Sequence, residues 1–287
     1  MIEERPGDGP LAQHRELPEP KALLFDLDGT LYRGGERVPG ADGLIRRLAA
    51  AGIPCWFVTN NSSRTPEDVA AHLRKMEIPA EPGQVITSAL AAADYASRLR
   101  PGGRAFVIGE AGLNQALTES GIRIVDEGDE GPADMVVQGI DRKFSYEKLA
   151  AAVRHMLEGA AYLLTNPDRL LPTDGGLMPG AGSLGASLSA ASGKEPVVIG
   201  KPSAILMDFA LKRAGVEPIE AWVVGDNPFT DIAAAVNAGC PSVLTLTGLC
   251  SADDWEDKCR AAGVRPDAVC AGLEQLERML PTSKRSE

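Results

Sequence analysis

Paired carboxylates, a lysine, hydroxyls and carboxamides recur in this chain at the ends of short apolar runs. The first cluster reads Phe25-Asp26-Leu27-Asp28-Gly29-Thr30-Leu31 and the second Val58-Thr59-Asn60-Asn61-Ser62. The third is Ile199-Gly200-Lys201-Pro202-Ser203, and the fourth is Val224-Gly225-Asp226-Asn227-Pro228-Phe229-Thr230-Asp231. Brought together, Asp26, Asp28, Asp226 and Asp231 repel one another, and some stay protonated unless a cation joins them. A donor set made only of oxygen, with places left for water, suits Mg²⁺. Beside such an ion Lys201 neutralises phosphoryl oxygens, and Thr59 with nearby backbone N–H groups hydrogen-bonds them. Asp26 can then attack phosphorus, because a carboxylate is an adequate nucleophile once phosphoryl charge is screened. Asp28, two residues on, can protonate the leaving alcohol and later deprotonate water.

The elements that must position these groups follow from the pattern around them. Ala22-Phe25, Cys55-Val58, Val197-Ile199, Ala221-Val224 and Ser242-Leu246 are mostly non-alternating apolar runs, as in parallel strands buried on both faces. Helical periodicity lies between them, as in Leu44, Ile45, Leu48 and Ala49 or Leu206, Phe209, Ala210 and Arg213. Glycines at 52, 215, 239 and 263 close those helices before the next strand. Thr65-Pro66-Glu67-Asp68 opens another helix with a capping box. The alternation predicts an α/β fold, and in open parallel sheets ligands bind outside the carboxyl ends of the strands. From Thr87 to Ser192 the same style continues with its own strands, Ala105-Ile108, Arg123-Val125, Met135-Val137 and Tyr162-Leu164. Helices are expected there over 110–120, 145–158 and about 182–191.

In order and spacing the four clusters resemble the haloacid dehalogenase superfamily. The middle segment is similar to its p-nitrophenylphosphatase-like subfamily through Gln138-Gly139-Ile140-Asp141, Phe144-Ser145-Tyr146, Thr165-Asn166-Pro167-Asp168 and Pro179-Gly180-Ala181-Gly182-Ser183. The resemblance spans roughly residues 21–280. It implies a Rossmann-like parallel sheet core, 21–86 and 193–281, with an inserted α/β cap domain, 87–192. It makes Asp26 the nucleophile and Asp28 the acid/base. The Asp26 side chain, the Asp28 carbonyl and Asp226 then hold Mg²⁺, and Thr59, Asn60 and Lys201 bind phosphate. Asp231 stands behind them, orienting metal waters or Lys201; its alternative reading is a first-turn acid that complements a helix dipole. Asn227-Pro228-Phe229 departs from the subfamily, where a basic or larger residue followed by Leu is common.

The implied reaction is hydrolysis of a small phosphorylated metabolite, such as a sugar phosphate, glycerol phosphate, nucleotide or p-nitrophenyl phosphate, through an aspartyl-phosphate. Phosphoryl transfer to another acceptor, or a retired fold acting as a binding module, are the alternatives. Asn166 and Asp168 follow a cap strand and offer donors and acceptors to a leaving group; equally, they can form a turn with their own backbone. A net charge of −11 over 287 residues argues against nucleic acid. The longest apolar runs are too short for a membrane span. Positions 1–20 lack the apolar centre of a signal peptide and predict a disordered tail, with Lys284-Arg285-Ser286-Glu287 similarly frayed. A cytoplasmic location follows, and the cap offers a surface for a homodimer. Scattered Cys55, Cys240, Cys250, Cys259 and Cys270 read as thiols and not a zinc site. Gly180-Ala181-Gly182-Ser183-Leu184-Gly185 matches a dinucleotide fingerprint in form, but the pattern before it is no convincing strand and Pro179 interrupts the approach, so it reads as a turn entering a helix. His14, His72 and His155 are assigned no catalytic part, and Trp56, Trp222 and Trp255 are expected to pack.

Overall fold

Non-alternating apolar runs become parallel strands in the computed structural model, which describes residues 17–280 apart from 127, 130, 174 and 175. The expected N-terminal tail up to position 16 and the C-terminal residues 281–287 lie outside the described residues. The last part of the expected tail is placed, since Trp222 Nε1 donates to the Pro18 carbonyl at 2.8 Å. Two units form: Met1–Cys55 with Val216–Glu287, and Trp56–Gly215. The second is continuous in sequence and interrupts the first.

In the first unit Ala22–Phe25, Ala221–Gly225, Ser242–Thr245 and Ala268–Cys270 lie side by side, all parallel. Every side chain of Ala22–Phe25 is fully buried, which each Leu or Phe rewards with about 1.5–3 kcal/mol. Phe25 pairs with Val224 and Val224 with Val243, so the first and fourth clusters leave neighbouring strands at the same end. Helices Ala41–Ala50, Ala233–Ala238, Trp255–Ala262 and Leu273–Met279 complete the unit. Gly52, Gly239 and Gly263 take the left-handed conformation at their ends, as the pattern predicts. A small hairpin, Tyr32–Arg33 with Glu36–Arg37, follows the first cluster directly.

The second unit contains a five-stranded parallel sheet in the order Val197–Val198, Ala161–Leu164, Met135–Gln138, Arg104–Ile108, Arg123–Val125. Phe106, Val136, Met156, Tyr162 and Leu188 share its core. The expected helices appear as Ala111–Glu119, Tyr146–Leu157 and Ala181–Ser192. Cys55–Thr59 pairs in parallel with Val85–Thr87, and Thr65 with Asp68 makes the capping box of Pro66–Lys75. An antiparallel hairpin, Leu170–Thr173 with Gly176–Pro179, extends from the loop after Ala161–Leu164.

The limits of this unit, 56 and 215, lie outside the cap expected over 87–192, and the hydrogen bonds show why. Gly112 N donates to Ser63 O at 3.0 Å and Ile140 N to Ser62 Oγ at 3.4 Å, tying the second cluster to this sheet. The third cluster is tied in as well: Val197–Val198, which falls in the expected core segment 193–281, extends the ladder of Ala161–Leu164, and Gly200 N donates to Thr165 O at 2.8 Å. Among the described residues, no helix is long and apolar enough to cross a membrane.

Candidate active site

Asp26 begins where the strand Ala22–Phe25 ends, and Asp226 follows Ala221–Gly225. Asp231 lies in a π-helical turn, Pro228–Ile232, and is 1% exposed, with Asn227 N donating to its Oδ2 at 3.1 Å. One carboxylate oxygen from each of Asp26, Asp226 and Asp231 lies within 4.8 Å of the other two. Acids held so close, two of them buried and Asp26 half-buried, fit a divalent cation that prefers hard oxygen donors, so the residues present suit Mg²⁺. The structure thus groups Asp231 directly with the other two, and a role confined to a helix dipole does not explain its position. Asp28 is exposed, and its Oδ1 accepts from Gly34 N at 3.2 Å, at the turn of the hairpin.

Several groups that orient these acids carry no assignment from the sequence. Thr30, fully buried, donates toward Asp226 Oδ1 at 3.4 Å and toward Asp26 Oδ2 at 3.5 Å. Leu249 N donates to Asp226 Oδ2 at 2.6 Å. Thr247 Oγ1 donates to the Gly29 carbonyl at 2.7 Å, and Arg33 Nε donates to the Thr247 carbonyl. Gly29 has φ +92°, and a Cβ there would lie 2.6 Å from Asp226 Cγ; at Gly248 one would lie 2.5 Å from the same atom. Glycine is therefore required on both sides of Asp226. The available signal was Thr247-Gly248, a polar cluster after the strand Ser242–Thr245, overlooked because it carries no charge.

In the second unit Thr59 closes its strand, and its Oγ1 accepts from Asn61 N at 3.1 Å, which leaves the hydroxyl proton for another acceptor. Lys201 is 3% exposed, and its Nζ donates to the Val58 carbonyl at 3.4 Å. The Asn60 carboxamide holds the main chain of Lys201: Lys201 N donates to its Oδ1 at 2.8 Å and its Nδ2 donates to Lys201 O at 3.0 Å. Of the two readings open for the 165–168 loop, the turn is present, with Asp168 N donating to Asn166 Oδ1 at 3.2 Å. Asn166 is 6% exposed and its Nδ2 donates to Asn60 O at 2.8 Å, so its amide is committed inside the protein.

These arrangements coincide with matches to known proteins. A family model described as haloacid dehalogenase-like hydrolase matches residues 23–123, and a HAD-hydrolase-like model matches 198–276. An acid sugar phosphatase of Staphylococcus aureus (strain USA300) is 44% identical over 238 residues, 83% of this chain and 91% of that protein. The chain belongs to the haloacid dehalogenase-like hydrolases. Within that family it is a phosphatase, with the Rossmann-like core and inserted α/β cap of its structural neighbours. The p-nitrophenyl phosphatase from Archaeoglobus fulgidus superposes with TM-score 0.86 at 32% identity, covering 92% of this chain and all of that one. A thermostable NPPase double mutant from Geobacillus stearothermophilus gives TM-score 0.81 at 40% identity, covering 89% and 97%.

Several polar groups outside the acidic cluster are buried in this hydrolase. Asp141 is buried and paired with Lys148 at 2.5 Å. All five cysteines are free and buried. Burial pushes the Cys55 and Cys270 thiols up to about 12, which removes them as nucleophiles. His155, in the core of the second unit, accepts from Ala133 N through Nδ1 at 3.2 Å.

Proposed function

We propose that this enzyme hydrolyses small phosphate monoesters, with Asp26 as nucleophile and Asp28 as acid/base. The observation that carries the reading is the group of Asp26, Asp226 and Asp231 at one end of the parallel strands. Asp26 attacks phosphorus and the ester oxygen leaves, which makes an aspartyl-phosphate. Asp28 gives the leaving oxygen its proton and then takes one from the water that releases phosphate. Its exposure lets it exchange protons with water, and its bond to Gly34 N fixes its direction.

The Asp26 side chain, the Asp28 carbonyl and Asp226 would hold Mg²⁺, which would supply positive charge against the phosphoryl oxygens. Asp231, the third member of the acidic group, would orient the metal or its waters. Thr59 donates its hydroxyl proton to a phosphoryl oxygen and Lys201 neutralises another. With both polar atoms of the Asn60 side chain engaged, phosphate contact from Asn60 falls to its main-chain N–H.

The acid sugar phosphatase relative supports a sugar phosphate or other polyol phosphate as substrate. Asn166 donates to Asn60 O and Asp168 accepts from Asn60 Nδ2, so neither is assigned as the contact to the leaving group. We read 87–192 as the cap and the cytoplasm as the location. Exposed Leu170, Leu177 and Met178 support pairing of two copies through the cap.

The test is phosphate release from a panel of sugar phosphates, glycerol phosphate, nucleotides, pyridoxal phosphate and p-nitrophenyl phosphate. Turnover should require Mg²⁺ and vanish in Asp26→Asn. Activity that persists in excess chelator, or in that variant, would overturn the mechanism.

A further inference from the structure

The hydrogen bonds of Asn60, Asn166 and Asp168 form a closed ring. Asn166 Nδ2 donates to the Asn60 carbonyl at 2.8 Å, Asp168 N donates to Asn166 Oδ1 at 3.2 Å, and Asn60 Nδ2 donates to Asp168 Oδ2 at 3.1 Å. The second Asn60 Nδ2 proton goes to Lys201 O at 3.0 Å, while Asn60 Oδ1 accepts from Lys201 N at 2.8 Å. Ser88 Oγ donates to the other lone pair of the Asn60 carbonyl at 2.7 Å. The Asn60 side chain and carbonyl are thus fully used, and the partners fix which way its amide points. A carboxylate at position 60 could donate neither to Lys201 O nor to Asp168.

Packing reinforces the ring. A Cβ at Gly200 would lie 2.6 Å from Asn60 Oδ1 and 2.5 Å from Thr165 O, so only glycine lets the chain entering Lys201 come this close. Lys201 and Asn166 are both buried. Hydrogen bonds with a charged partner in such surroundings are stronger than neutral ones, and Asp168 supplies that partner.

We propose that Asp168 is a positioning residue that acts through Asn60 to hold the Lys201 backbone, and with it the Lys201 ammonium, in register for phosphate. The proposal rests on the reading of Lys201 as a phosphate ligand. It changes what the 165–168 loop does. A contact from Asp168 to a leaving group would make its importance depend on the substrate. Acting through Asn60 and Lys201, it matters equally for every phosphate monoester and for inorganic phosphate.

The test uses the full chain as wild type, Asp168→Ala, Asp168→Asn and Lys201→Met. kcat/KM is measured on p-nitrophenyl phosphate and on glycerol phosphate, and inorganic phosphate affinity is taken from competitive inhibition. Asp168→Ala should lose about tenfold or more on both substrates, with a matching loss of phosphate affinity. Asp168→Asn should return to within about threefold of wild type, because its amide oxygen still accepts from Asn60 Nδ2. A loss confined to glycerol phosphate, or equal losses in the alanine and asparagine variants, would overturn the proposal. So would Asp168→Ala binding phosphate like wild type while Lys201→Met does not, and in that case the phosphate reading of Lys201 survives. If Lys201→Met keeps wild-type phosphate affinity, that reading falls and the proposal falls with it. Should Asp168→Ala not fold, Asp168→Ser takes its place with the same expectations.

Discussion

Removing one charge from the acidic group should stabilise the metal-free protein while it destroys activity. At 4.8 Å, the outer limit of separation among Asp26, Asp226 and Asp231, two of these carboxylates repel by about 3.5 kcal/mol at an effective dielectric of about 20 when both are ionised, and a proton taken up by one in chelator relieves part of it. Asp26 takes part in two of the three pairs. Thr30 Oγ1, Leu249 N and Asn227 N already offset part of that repulsion, and Asp26 is only half-buried, so water screens more of it. A relief of about 1–3 kcal/mol remains for Asp26→Asn in chelator. In a chain of this size that raises Tm by about 2–4 °C for each kcal/mol. Added Mg²⁺ should then stabilise wild type more than the variant, since binding to the folded state alone shifts apparent stability and the variant binds less. Thermal unfolding of both proteins, in chelator and across a Mg²⁺ titration, reads all four states. An Asp26→Asn protein that melts at or below wild type in chelator, yet responds to Mg²⁺ equally, would refute the electrostatic argument.

Three further outcomes follow from other parts of the molecule. Gly248→Ala places a Cβ 2.5 Å from Asp226 Cγ and should raise the Mg²⁺ midpoint for activity by about tenfold or more; an unchanged midpoint would count against the loop as a support for Asp226. Burial, with Arg154 and Arg104 nearby and only Glu158 opposing, holds the His155 imidazole below its ordinary range, and its Nδ1 must stay unprotonated to accept from Ala133 N. Its contribution is complete above the unfolded value of about 6.5 and is lost as pH falls below it, so His155→Asn should flatten the fall in denaturant midpoint between about pH 7 and 5; parallel profiles would exclude His155 as the cause. The five cysteines should resist a thiol reagent at pH 8 until denaturant is added, because all are buried; rapid labelling of the native chain would contradict that burial.

Strand positions and the chemical groups at their ends were legible without coordinates. Ala22–Phe25 and Ala221–Gly225 announce themselves because a strand buried on both faces must be apolar throughout, and the charged residues that follow them cannot belong to the core. Helix ends at Gly239 and Gly263 were equally plain, since few residues other than glycine take the left-handed conformation cheaply. The carboxylates, the lysine and the threonine stood out by type, and the structure groups Asp26, Asp226 and Asp231.

What the sequence by itself determined, then, was the inventory of reactive groups and the α/β alternation that presents them. Only the tertiary structure decided which neighbours each group spends itself on. The family resemblance implies phosphate contact from Asn60, and the structure shows both protons of its side-chain amide given to Lys201 and Asp168, residues 141 and 108 positions away. Thr247 and Gly248 drew no attention because a hydroxyl and a missing side chain have no local signature, and they matter only through their distance to Gly29 and Asp226. Val197–Val198, grouped by sequence with the core segment 193–281, pairs with Ala161–Leu164, because a two-residue apolar strand carries no mark of its partner. Hydrogen bonds between distant residues are set by where packing brings the chain back, and residue type and spacing do not encode that one position at a time.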